Sequence, residues 1–84
     1  MPYIKKIDRP ALDLWLAQCP PLTSKGILEY CVFKLLKFYM KSREFRYSDL
    51  HDATYACIHA GDEFKRRYLD KREDDAIKEN GDIE

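Results

Sequence analysis

The stretch that decides the fold is residues 24–42, SKGILEYCVFKLLKFYMKS. Its apolar side chains recur with helical spacing around most of the circumference, and three lysines mark one narrow polar side. Thr23 or Ser24 is a suitable N-cap for such a helix. A helix that is apolar on so many sides needs more neighbours than a monomer of three helices provides. The stretch therefore predicts a central helix and favours a homo-oligomer.

Two further main helices are predicted, one on each side of the central one. The first spans about residues 9–18, where Pro10 fits the first turn. The other spans about residues 48–69, and small side chains between positions 53 and 61 predict a close crossing with another helix. A charged segment follows, for which we expect a short helix or turn over about residues 72–79.

The chain length of 84 residues fits a single domain over residues 1–84. A composition that is 45% hydrophobic and 36% charged, with only three glycines, argues against disorder. The expected fold is all-α, a small bundle of three main helices that is completed by oligomerisation. The predicted core comprises Trp15, Leu35, Leu36, Cys57 and Phe64.

The cysteine pattern and the absence of long apolar runs suggest a cytoplasmic protein. Cys19, Cys31 and Cys57 are odd in number and include no Cys-x-x-Cys pair. The apolar runs are far shorter than the roughly 20 residues that a membrane span needs, and no secretory signal is recognisable. We expect no membrane contact, no cofactor and a location in the cytoplasm, which is the host cytoplasm if a phage encodes the chain.

The net charge of zero conceals a strong polarity along the chain. Residues 1–46 contain nine Lys or Arg against four Asp or Glu, a net charge of +5, whereas residues 47–84 contain six against eleven, a net charge of −5. The two halves can attract each other within one monomer, which is the simplest interpretation. Alternatively, the asymmetry can drive association between chains or binding of a charged ligand.

Arginines next to aromatic residues are the predicted binding groups. Arg43, Arg46 and Tyr47 are the first candidates, because they lie in the predicted connector at residues 43–47. Side chains in a connector are less often needed for packing and so are available for binding. A second group, late in the third helix, comprises Arg66, Arg67 and Tyr68, although Tyr68 also suits the core. Such pairs can hold phosphates and stack on bases. Zero net charge argues against binding along extended nucleic acid, whereas a small anionic ligand or simple surface ion pairs remain compatible.

One side of the third helix carries residues that are weak candidates for a metal site. His51, His59 and Glu63 lie along this side, and the last two are one turn apart. Solvated side chains on a helix face are the favoured interpretation. Since no complete catalytic or metal-binding motif is present, we predict no catalytic residue, and an enzyme is the minority hypothesis.

The two ends of the chain carry a family resemblance. The chain opens with Met1-Pro2-Tyr3-Ile4 and ends with Glu63-Phe64-Lys65-Arg66-Arg67-Tyr68 followed by Ile77-Lys78-Glu79-Asn80-Gly81-Asp82-Ile83. It resembles short uncharacterised proteins of bacteriophages and prophages that open with Met-Pro-Tyr-Ile and close with a Glu-Asn-Gly-Asp segment. It departs from them at Lys71, where they have a proline, and at Glu84, where they have an aromatic residue. The resemblance implies a phage or mobile-element setting and brings no known catalytic residue.

Three functional hypotheses follow, from different classes. The leading one is a non-enzymatic, homo-oligomeric helical protein that docks on a host protein or other host macromolecule, with counter-defence as the role that a phage setting implies. The second is an oligomeric protein that sequesters a nucleotide-type signalling molecule in pockets between subunits. The third is a metal-assisted enzyme that uses the face carrying His51 and His59.

Overall fold

The computed structural model describes residues 2–84, and within them the fold is all-α, as predicted, with no β-strand. Its elements in chain order are a 3₁₀ turn at Lys6–Asp8, α1 at Arg9–Ala17, α2 at Lys25–Met40, α3 at Tyr47–Phe64, a π-helical turn at Lys65–Leu69 and α4 at Asp70–Asn80. Together they form a small, open helical bundle.

Local sequence signals account for the ends of the helices. The hydroxyl of Ser24 accepts a hydrogen bond from the backbone N–H of Ile27 at 3.1 Å, which caps α2. Pro10 occupies the first turn of α1, where its missing N–H has no cost. Gly81 has a φ of 86°, a backbone conformation that strongly favours glycine, and it ends α4.

The third helix runs on into α4 without the interruption that was predicted at residues 70–71. Every residue from 47 to 80 is helical, and the π-helical turn joins α3 to α4 directly. The sequence from 64 to 70 contains neither Gly nor Pro, so nothing there ends the helix.

The core of the single chain is confined to the region where α2 and α3 meet. Among residues 2–84 only Met40, at the end of α2, and Ala53, in the first half of α3, are buried, each 6% exposed. A Cβ placed at Gly61 would have no neighbour within 4 Å, so the predicted close crossing involves Ala53 but not Gly61. Among the helices and turns of residues 2–84, the backbone of α4 contacts only the π turn before it.

The predicted core is wrong for a single chain. Trp15 is 55% exposed and Phe64 is 66% exposed; Leu35 and Cys57 are also exposed, and Leu36 is half-buried. The physical reason is that neither α1 nor α4 has a backbone contact with α2 or α3, so no further helix covers these side chains. Accordingly, the radius of gyration is 16.7 Å, compared with about 12 Å for a compact domain of this length.

Candidate functional surfaces

A polar cluster joins the N-terminal segment to the end of α3. Tyr3 donates a hydrogen bond from its hydroxyl to Glu63, and Arg67 donates through Nη2 to the Tyr3 oxygen at 2.9 Å. Arg66 and Arg67 both bond Glu63 Oε1, at 2.5 and 2.8 Å. Tyr3, Glu63, Arg66 and Arg67 are called the terminal cluster below.

Glu63 is the hub of the terminal cluster, and its ionisation reflects this. Hydrogen bonds from Arg66, Tyr3 and Arg67, in decreasing order of effect, lower the pKa of Glu63 from 4.5 to about 2. The same carboxylate raises the pKa of both arginines. Two of the predicted binding residues are therefore already engaged by a carboxylate of the same chain.

The remaining predicted binding residues lie at different places. Arg43 lines a cavity at the end of α2. Arg46 instead lies 3.5 Å from the carboxylates of both Glu44 and Asp49, and Tyr47 is largely exposed at the start of α3. Tyr68 is an exposed residue of the π turn, with its ring centroid 4.9 Å from that of Phe64. The structure thus does not bring the six predicted residues together.

The cavity that contains Arg43 is lined mainly by cations and aromatic rings. It has a volume of about 550 Å³, and it is called the basic cavity below. Its lining residues are Lys34, Lys37, Phe38, Met40, Lys41, Arg43 and Phe45. Lys34 and Lys37 lie on α2 three positions apart and Lys41 follows four positions later, so helical periodicity places the three amines on one side. They belong to the polar side that the sequence predicts for this helix.

A second, mainly apolar hollow lies between α1 and the adjoining side of α2. It has a volume of about 580 Å³ and is called the apolar groove below. Its lining residues are Trp15, Leu16, Gln18, Cys19, Pro20, Leu22, Leu28, Tyr30, Cys31, Val32, Lys34, Leu35 and Phe38. Lys34 and Phe38 also line the basic cavity, so the two hollows adjoin each other.

The histidines of α3 form part of an aromatic ladder. The rings of His51 and Tyr55 are stacked with centroids 4.3 Å apart, and Tyr55 lies 6.0 Å from His59. Tyr47 extends the ladder, 5.8 Å from His51. In residues 2–84 no three or more His, Cys, Asp or Glu side chains are grouped so that they could hold a metal ion. The weak metal candidates His51 and His59 thus contact tyrosine rings, while Glu63 binds arginines.

The described helices include none that is long and apolar enough to cross a membrane. The chain belongs to a family described as a domain of unknown function, DUF6899, whose sequence profile matches residues 1–83. No curated protein and no solved structure matches the chain.

Proposed function

We propose that this chain is a non-enzymatic helical binding protein that works as an oligomer of identical chains, in which a second copy covers the apolar groove. One observation carries the proposal. Large apolar side chains that a soluble domain normally buries, among them Trp15, Leu28 and Leu35, are about half exposed along this groove.

The amount of exposed surface supports association. The accessible surface is 7994 Å², whereas a compact protein of 10.0 kDa exposes about 5,200 Å². The excess is about 2,800 Å², and a stable interface removes roughly 800 Å² from each partner. The single chain therefore exposes more surplus surface than a stable dimer needs to bury.

Charge complementarity supports a second copy as the occupant. The half of the chain that contains α1, α2 and the apolar groove has a net charge of +5, and the half that contains α3 and α4 has a net charge of −5. Two copies related by a two-fold axis, or arranged head to tail, can pair the basic half of one with the acidic half of the other. In a head-to-tail arrangement that closes into a ring, the same pairing of basic and acidic halves also binds a third copy.

The proposed setting is the cytoplasm of a host cell, with the chain encoded by a phage or another mobile element. This part of the proposal is supported by the resemblance of the two chain ends to short phage and prophage proteins. In that setting the oligomer would dock on a host macromolecule, with counter-defence as its role. Assembly is tested first, because it determines which surfaces of the chain remain free to bind the host partner.

Two substitutions on α2 form a matched test. Leu28 lines the apolar groove, whereas Phe33 is an exposed apolar residue of the same helix outside it. We expect light scattering to show an oligomer for the wild-type protein and for Phe33→Glu. The oligomer of Leu28→Glu should dissociate at a protein concentration about tenfold or more above that of the wild-type protein. Circular dichroism should show the same helix content in all three proteins, since both side chains are exposed in the single chain.

Two results would contradict the proposal. One is a wild-type protein that stays monomeric throughout a wide dilution series. The other is an oligomer that Phe33→Glu weakens as much as Leu28→Glu does, because the groove would then not be the interface.

A further inference from the structure

We infer that the basic cavity is a binding site for a ligand that combines phosphate groups with a flat aromatic ring, the chemistry of a nucleotide. The cavity, of about 550 Å³, lies within one chain and is lined by four cationic side chains and two phenylalanines. Its volume falls within the roughly 300–1,000 Å³ typical of small-molecule sites. The inference goes beyond the proposed oligomer, since one chain supplies all of the lining.

The charges in this cavity lack partners of opposite sign. Within residues 2–84, Lys34, Lys37, Lys41 and Arg43 form no ion pair with Asp or Glu, and no carboxylate lines the cavity. Arg46, Arg66 and Arg67 behave differently, because each pairs with a carboxylate of the chain. A phosphate-bearing ligand would neutralise amines that are otherwise left to repel one another.

Arg43 is held in position before any ligand arrives. Its Nη1 donates a hydrogen bond to the carbonyl oxygen of Tyr39, and its guanidinium carbon lies 3.7 Å from the centre of the Tyr39 ring. A guanidinium has five N–H donors, so this anchor leaves others for an anion. A pre-oriented guanidinium loses little entropy on binding phosphate, which it can hold through two parallel hydrogen bonds.

The aromatic rings add a second type of contact. Phe38 and Phe45 line the same cavity and are 69% and 74% exposed. Exposed rings next to cations are the combination that stacks on a base while its phosphate is neutralised. Cations near the end of a helix also complement its dipole. That effect explains Lys37 in the last turn, but it explains neither Lys34, which precedes that turn, nor the exposed phenylalanines.

The test uses ATP, inorganic phosphate and adenosine as probes in calorimetric titrations of the full chain. We expect ATP to bind with one site per chain, and phosphate and adenosine to bind about tenfold or more weakly, because each offers only part of the recognised chemistry. The double variant Lys37→Gln/Lys41→Gln should weaken ATP binding by about tenfold or more, since it removes two charge-assisted contacts.

Lys25→Gln is the matched control for charge. Lys25 lies on the same helix, is highly exposed, pairs with Glu29 and does not line the cavity. ATP binding should therefore be unchanged in Lys25→Gln. Phe45→Ala should weaken the binding of ATP but leave that of phosphate unchanged, because only the base stacks on the ring.

Three results would overturn the inference. The first is no measurable binding of any probe. The second is general charge attraction, which would weaken ATP binding equally in Lys25→Gln and in the double variant. It would also give an affinity for single-stranded oligonucleotides that grows with their length. The third is dissociation of the oligomer by the double variant without any nucleotide binding, which would assign the cavity to acidic residues of a second copy.

Failure of the site and failure of the proposed oligomer are distinguishable. Leu28→Glu places a charge in the apolar groove but lies outside the basic cavity. Lys37 and Lys41 line the basic cavity and not the groove. A Leu28→Glu protein that is monomeric and still binds ATP therefore supports both proposals at once.

Discussion

Tyr3 and Glu63 are separated by 60 positions in the chain, and the hydroxyl of the first donates a hydrogen bond to the carboxylate of the second. Tyr3 lies in the N-terminal segment before α1, and Glu63 lies in the last turn of α3. The contact thus joins the opening segment of the chain to the end of α3.

Removal of the charge of Glu63 should release the N-terminal segment. Glu63→Gln keeps the shape of the side chain but loses the charge-assisted bonds to Arg66 and Arg67. Hydrogen exchange of the backbone amides of residues 3–9 should become faster, while exchange near Ala53 stays slow. Glu29→Gln is the control, because Glu29 pairs with an exposed lysine and lies outside the terminal cluster. Unchanged exchange in Glu63→Gln would show that the cluster does not hold the segment.

The contribution of the terminal cluster to stability should depend on pH in a defined direction. The pKa of Glu63 is lowered from 4.5 to about 2. A carboxylate with a lowered pKa stabilises the folded state fully above its ordinary pKa, and this stabilisation is lost as the pH falls from about 4.5 to about 2. The urea midpoint of the wild-type protein should therefore fall more steeply over this range than that of Glu63→Gln. Carbon NMR would contradict this if Glu63 titrated near 4.5.

The small core near the α2–α3 connector should be sensitive to truncation. Met40 is buried, and Met40→Ala should lower the free energy of unfolding by about 2 to 5 kcal/mol. Ile7, which is 84% exposed, is the control, and Ile7→Ala should change it by about 0.5 kcal/mol or less. Urea unfolding followed by circular dichroism measures both. Equal losses in the two variants would mean that the core lies elsewhere.

Thiol reactivity should report on the apolar groove. Cys19 and Cys57 are both exposed in the single chain, but only Cys19 lines the groove. In an oligomer with a covered groove, a maleimide reagent should modify Cys57 rapidly and Cys19 slowly. In Leu28→Glu the two rates should converge, because the groove is then open. Mass spectrometry of peptides gives both rates from one sample, and equal rates in the wild-type protein would argue against a covered groove.

The helices were predictable from the sequence, whereas their mutual packing was not. The apolar spacing of residues 24–42 and the cap at Ser24 are local signals, and both agree with the structure. Burial depends on where helices lie relative to one another, which local periodicity does not determine, so Trp15 and Phe64 were assigned to a core that one chain does not form. The Tyr3–Glu63 contact likewise leaves no periodic signal, since its partners are distant in sequence.

The candidate sites were predictable only in part, for a related reason. Placement in a connector identified both Arg43 and Arg46, but it could not show that Arg46 lies beside two carboxylates while Arg43 faces a cavity. The lysines of α2 were recognised as a polar side. Their role as a cavity wall depends on how the chain turns after Met40 to place Phe45 near them.

Trp15 provides the most direct test of the proposed assembly. It is the only tryptophan in the chain, it lines the apolar groove, and it is 55% exposed in a single chain. The measurement is its fluorescence emission and acrylamide quenching in the wild-type protein and in Leu28→Glu. We expect blue-shifted, poorly quenched emission in the wild-type protein, and red-shifted, readily quenched emission in Leu28→Glu and on extensive dilution. Red-shifted emission and ready quenching by acrylamide in both proteins at every concentration would contradict a second copy in the groove.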